Sequence, residues 1–436
     1  MKKLTTPLLL LLVCGFIPSH SPSQLQSLLE EDLPYLMDFY QERHQHPEIF
    51  LREKNTSQAL ARELRSIGFE VEEEFGGYGV VGILKNGKGP TILYRTDMDA
   101  LPMVEKTELA YASKEEIDYN GIQTSAMHSC GHDMHMTVWL GTARAMAKLK
   151  KEWKGTLMFI GQPAEEIGQG AKLMLEAGLY ETFGVPDKGI ALHCSPTIPA
   201  GQVGFGKGYT MANAESIDIR VFGVGSHGAT PHMSIDPVVT ASMIVMELQT
   251  IVSRNLKPTD NAVITVGAIK GGTRHNIIPD EVSLQLTVRT FKQEVRDLIH
   301  KRIREIARGV GISVGLPEDK LPEVIIPNTY SPANYNDPQL VDLLSNSAKK
   351  VIGEDHVVGS EPQMVAEDFA LYSRTEHKVP TALYWLGTVP EARMKEGFMP
   401  GLHSPFYYPD MEQSISTGVG VTTQALLDLL PKKKSN

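Results

Sequence analysis

Thr156-Leu-Met-Phe-Ile-Gly-Gln-Pro-Ala-Glu-Glu166 carries a short apolar run straight into two adjacent carboxylates. Thr156–Ile160 reads as a buried strand, too short for a helix. Adjacent carboxylates at a strand end are costly to bury unless something positive stands beside them. A metal ion does this and divides the labour: one glutamate ligates while its neighbour takes a proton from a water that the metal acidifies. The alternative is a solvated acidic loop, which Glu-Glu alone would favour.

Outward from this stretch, helix and strand patterns alternate. A helix fits Gln24–His44, and Asn55 or Thr56 can cap a second helix that Gly68 ends. Strands fit Val80–Leu84 and Thr91–Tyr94, a helix fits His135–Leu149, another lies near Ala171–Ala177, and a strand fits Gly189–Leu192. This order predicts an α/β sheet with helices on both faces. The texture changes after Gly208. Ser216–Phe222 alternates apolar and polar residues as a half-buried strand does. A helix at Pro237–Arg254, strands at Ala262–Ile269 and Val282–Arg289, and a helix at Gln293–Arg308 complete a compact α+β unit, placed at 210–327 as an insertion. The larger domain, 23–209 and 328–436, resumes with a helix near Pro338–Val351, a strand at Ala382–Leu386 and a helix near Glu412–Leu430.

The chain has 436 residues, enough for two or three domains at about 150 residues each. Its formal net charge is −10, which argues against a nucleic-acid binder. Three cysteines cannot build a disulfide scaffold. Lys2 and Lys3, the apolar run Leu8–Ile17 and the small and turn residues after it read as a signal peptide over 1–22, because a spanning helix needs about 18 apolar residues. The expectation is an exported protein, periplasmic or secreted. The alternatives are an uncleaved amino-terminal anchor and lipidation at Cys14, for which Val13 is larger than the usual small residue.

Met127-His-Ser-Cys-Gly-His-Asp-Met-His135 is the densest polar cluster. Cys130 and His132, two apart, can face one side of an extended loop, and thiolate with imidazole suits borderline-soft divalent metals. His193 follows the strand at Gly189–Leu192, and His403 lies in a loop rich in proline and glycine. A single strand-end histidine is more often a structural hydrogen-bonder. Several strands that each end in a plausible ligand read differently, because open α/β sheets bind ligands at the carboxyl ends of their strands. Gly77-Tyr-Gly-Val-Val-Gly82 fits a dinucleotide fingerprint but leads into a strand, so it reads as a turn.

With Arg95-Thr-Asp-Met-Asp-Ala-Leu-Pro102, Asn276-Ile-Ile-Pro279 and Ala366-Glu-Asp-Phe369, these motifs resemble the amidohydrolase branch of the dinuclear metallopeptidases, peptidase family M20. Hippurate hydrolases, N-acyl-amino-acid amidohydrolases and auxin-conjugate hydrolases belong to that branch. The resemblance runs from about residue 30 to 430. It implies a zinc-peptidase-like, doubly wound catalytic domain with an inserted α+β lid and dimerisation domain. It implies two divalent metal ions per subunit, manganese or zinc, with cobalt or nickel as alternatives. Cys130, His132, Glu166, His193 and His403 would hold them, with Cys130 bridging. Glu165 would be the general base, and Asp99 would orient a ligand. Asp97 stands where the wider family has a metal-binding histidine, a part that His132 takes over here. His227 would reach a partner's active site, and Asn276 and Arg289 would hold the substrate carbonyl or carboxylate. The implied function is hydrolysis of the amide bond in a small N-acyl amino acid or short peptide by a homodimer. The alternatives are a metallo-carboxypeptidase or dipeptidase with the same site and, in a different class, a non-catalytic periplasmic binding protein for acylated amino acids.

Overall fold

The computed structural model describes residues 24–328 and 330–432; the expected signal segment, Cys14 and most of the lysine tail lie outside the described residues. In chain order the first part runs α1 (Gln24–Gln45), α2 (Lys54–Ser66), β1 (Glu70–Glu72), β2 (Val80–Asn86), β3 (Thr91–Asp97), α3 (His132–Lys148), β4 (Gly155–Gln162), α4 (Gly170–Glu176), β5 (Lys188–Pro199) and β6 (Val203–Phe205). The middle part runs β7 (Glu215–Phe222), α5 (Pro237–Thr250), β8 (Ala262–Gly271), β9 (Glu281–Thr290), α6 (Gln293–Ser313) and β10 (Glu323–Ile325). Then follow α7 (Pro338–Ile352), β11 (Val357–Gly359), β12 (Thr381–Val389) and α8 (Met411–Leu429).

The large sheet has the order β1-β2-β4-β3-β5-β12-β6-β11. Its centre, β4, β3, β5 and β12, is parallel, so these four carboxyl ends open on the same side. Central strands buried on both faces need unbroken apolar runs, and β4 has one partly exposed residue in eight. One face packs on α1, α3 and α8 through Trp139, Tyr94, Phe159, Leu386 and Ile415. The other carries Met158, Ile160, Met174, Phe369 and Trp385. The chain is therefore an α/β protein covered on both faces of its sheet.

The middle segment has its own antiparallel sheet, β8-β9-β7-β10, and its own core. Ile217, Ile219 and Val221 on β7 pair with Leu286, Leu284 and Val282 on β9, with Ile244, Leu248, Ile299 and Ile303 from α5 and α6 above them. The segment joins the large domain through a two-stranded pair, Gly208–Met211 with Asn334–Asn336. No helix among the described residues is long and apolar enough to cross a membrane.

Three local expectations are corrected. Neither Asn55 nor Thr56 caps α2. Both amides donate to the Glu48 carboxylate, at 3.1 and 2.8 Å, so the cap comes from the preceding turn. The helix expected over Pro237–Arg254 changes to a wider π turn at Ile251–Asn255. Cys130 and His132 do not share an extended loop: Gly131 takes a left-handed φ of +82° and His132 opens α3. A Cβ at Gly131 would also lie 3.0 Å from the Cys194 sulfur. The turn requires glycine for both reasons.

Candidate metal centre

The polar residues gather at the carboxyl ends of the parallel strands. Asp97 closes β3, with Asp99 two residues beyond, and Glu165 and Glu166 follow β4. His193 lies on β5 beside Trp385 of β12, beyond the stretch where β5 pairs with β3. His403, with a left-handed φ of +62°, comes from the loop before α8, and its amide donates to the Ser129 carbonyl at 2.9 Å. That bond ties the loop to the residue before Cys130.

Among the described residues, five groups of possible ligand atoms form here, each with its atoms within 4.8 Å of one another; Cys130–His132–His193 and Cys130–Glu166–His403 contain the thiol, and His132–Glu165–Glu166 joins them. The Cys130 sulfur lies 3.6 Å from His193 Nε2, and Glu166 Oε2 lies 3.3 Å from His403 Nε2. The supporting bonds fix which atoms stay free. His132 Nδ1 donates to the Asp99 carbonyl at 2.8 Å, and His193 Nδ1 to the Cys194 carbonyl at 2.9 Å, leaving each Nε2 for the centre. The Asp99 carboxylate accepts the Glu166 amide at 2.9 Å. His132 Nε2 and Glu166 Oε1 are buried with no hydrogen-bond partner among the described residues. Orphaned buried polar atoms are expensive. A divalent cation would satisfy both, and thiolate, imidazole and carboxylate are the donors such an ion takes.

Electrostatics agree with that fit. Burial alone would lower the His132 pKa, yet Asp97 and Asp99 raise it to about 10. The pocket is strongly negative, a field that a cation relieves. Burial, then the Glu367, Glu166 and Asp368 carboxylates, push Glu165 well above the usual carboxylate range. The buried Arg95 guanidinium opposes this by pairing with Glu367 at 2.8 Å, Asp368 at 3.1 Å and Asp97 at 2.7 Å. Asp97 in turn accepts from His135 Nδ1 at 2.6 Å.

A cleft of about 1270 Å³ opens over the centre, between the large sheet and the inserted domain. Cys130, Glu165, Glu166, His193, His403 and Arg289 line it. His132 and Asp99 stand behind this lining. Arg289 is half-buried on β9, and no hydrogen bond or ion pair engages its guanidinium among the described residues. His227 and Asn276 are exposed and do not line this chain's cleft. They sit together instead: His227 pairs with Ile277 in a two-residue bridge, and the Gly228 amide donates to the Asn276 carbonyl at 2.9 Å.

Sequence reasoning missed the roles of Arg95 and Glu367, which entered only as letters of motifs. It also missed Glu53, a wholly buried carboxyl bonded to the Ala164 amide at 2.8 Å. The available signal was a pair of glutamates, Glu48 and Glu53, around the apolar run Ile49–Leu51 just before a helix start.

The model of peptidase family M20/M25/M40 matches residues 93–428. The hippurate hydrolase of Campylobacter jejuni is 37% identical over 351 residues, 79% of this chain and 88% of that protein. The N-acetylcysteine deacetylase of Bacillus subtilis is 34% identical over 357 residues, 81% of this chain and 88% of that protein. Among solved structures, the Bacillus subtilis YXEP protein, described as a dinuclear metal binding peptidase from the M20 family, superposes with a TM-score of 0.75. It is 29% identical and covers 92% of this chain and 99% of its own.

Proposed function

The chain belongs to peptidase family M20/M25/M40, and from that premise we propose that it removes the acyl group from N-acyl amino acids, with Glu165 as general base. Membership makes it a metal-dependent hydrolase of small amide substrates. The observation that carries the finer reading is the shared position of Cys130 in two ligand groups directly beside Glu165. Cys130, His132, Glu166, His193 and His403 would hold two divalent ions. When bound, such ions polarise the scissile carbonyl and lower the pKa of the attacking water. Manganese and zinc are the first candidates, then cobalt and nickel.

Glu165 takes the proton of the attacking water and later delivers it to the leaving amine. Arg289, a free cation on the lid side of the cleft, anchors the substrate carboxylate. His227 stabilises the developing oxyanion, worth roughly 3–4 kcal/mol per donor in comparable sites. Because His227 and Asn276 lie off this chain's cleft, they serve the site of a second copy. The lid has the surface for that pairing: Val239, Met243 and Met246 on α5 are 54%, 40% and 71% exposed, and Ile269 on the edge strand β8 is 57% exposed. The amino-terminal run Leu8–Ile17 supports an exported protein.

The test is a panel of acetyl-, benzoyl- and longer acyl-amino acids beside dipeptides, run after reconstitution with each of the four metals. Turnover of acyl-amino acids above dipeptides is expected. Preference for dipeptides would establish the dipeptidase reading instead.

A further inference from the structure

Glu53 lies at the start of α2, far in sequence from Glu165 and Glu166, and does not line the cleft. Its side chain is fully enclosed, and Oε1 accepts the Ala164 amide at 2.8 Å. Ala164 immediately precedes Glu165 and is held at a φ of +53°. A left-handed conformation is unfavourable for a non-glycine residue, so it persists only when its surroundings enforce it. Both peptide groups of Ala164 are bound: its amide by Glu53, and its carbonyl by the Gln169 and Gly170 amides at 3.1 Å each. Behind the loop, Gly170 packs so closely that a Cβ there would lie 1.6 Å from the Pro163 carbonyl oxygen.

The segment that carries Glu53 also holds the other side of the centre. Ile49 bridges to Ala100, and the Ala100 amide donates to the Glu48 carbonyl at 2.8 Å. Asp99, next to Ala100, holds the Glu166 amide through its carboxylate and His132 through its carbonyl. Residues 48–53 therefore form a back plate that sets the two-glutamate loop against the Asp99 turn. Folding alone does not explain a carboxyl at this place. Glu53 Oε2 is buried without a hydrogen-bond partner among the described residues, which is destabilising for the fold.

We propose that Glu53 is a positioning residue for hydrolysis: by holding the Ala164 amide it fixes the strained turn that aims Glu165 into the cleft. This rests on the assignment of Glu165 as the general base.

The test is steady-state kinetics and metal content for Glu53→Ala and Glu53→Gln, each in the native and in a Glu165→Asp background. Glu53→Ala should keep its metals and its KM while kcat falls about 10- to 100-fold, the usual cost of losing a residue that orients a site. Glu53→Gln, which retains an acceptor for the Ala164 amide, should return most of kcat. In the Glu165→Asp background Glu53→Ala should cost far less, because the base is already displaced. If Glu53→Ala does not fold, Glu53→Met, of similar size without an acceptor, takes its place with the same expectations. Unchanged kcat, loss of metal, failure of glutamine to rescue, or full additivity with Glu165→Asp would each overturn the proposal. An undiminished kcat in Glu165→Asp alone would instead remove the general-base assignment.

Discussion

At the ends of β3, β4 and β5 the ligand candidates are held by their own chain. His132 and His193 each spend one ring nitrogen on a backbone carbonyl, and Glu166 is held through its amide. In the inserted domain the opposite holds. Its core is built from alternating apolar residues such as Ile217, Ile219 and Val221, while His227 and Asn276 stand exposed. The large domain concentrates buried charge into a preorganised centre. The inserted domain is an amphipathic scaffold whose candidate site residues lie at its surface rather than in a buried network.

That contrast is sharpest at the two glutamates, where the largest effects are expected. Glu165→Gln should retain both metals and lose about 10²- to 10⁴-fold in kcat, the usual span for a general base. Glu166→Gln should lose metal as well as turnover. Full occupancy in the second variant with depletion in the first would reverse the two roles.

The lid side should fail in a different way. His227→Ala should keep its metals and its dimer while kcat falls about 10²- to 10³-fold. Mixing it with Glu165→Gln should restore activity, since one site of the mixed dimer has both an intact base and an intact partner histidine. If subunit exchange is verified and no activity returns, His227 does not act across the interface.

Smaller effects separate the two cores. Ile219→Val should destabilise the lid by about 1 kcal/mol without changing metal content, read by denaturant unfolding and metal analysis of the holoprotein. The smallest effect is electrostatic. Burial pushes the Glu215 carboxyl up, but hydrogen bonds from His300 at 2.6 Å and Arg296 at 2.6 Å outweigh it and hold the pKa below its ordinary 4.5. A depressed folded pKa contributes stability above the unfolded value and loses it as the pH falls through the folded one. The Tm advantage of the native protein over Glu215→Gln should therefore be full at neutral pH and shrink below about 4.5. An advantage that grows on acidification would contradict this.

The sheet was legible because strands buried on both faces leave unbroken apolar runs, as at Thr156–Ile160. Their full lengths were not. β4 continues through Gly161-Gln162 and β5 through Ser195–Pro199, where pairing to distant strands replaces local pattern. The Cys130–His132 geometry depended on a left-handed glycine, which periodicity does not register. The cap of α2 came from Glu48 rather than from the Asn-Thr pair that local rules favour. The ligand candidates stood out as clusters of metal-binding side chains. The network behind them did not, because bonds such as Arg95 to Glu367 join residues 272 positions apart. Nor does a sequence show that Glu53 reaches Ala164.

The central claim is that one thiolate, Cys130, serves two metal ions beside Glu165. Crystals of the metal-reconstituted protein, measured at the absorption edge of that metal, test it directly. The account predicts two anomalous peaks per chain, both within bonding distance of the Cys130 sulfur. A single peak, or a Cys130–Cys194 disulfide in active enzyme, would contradict it.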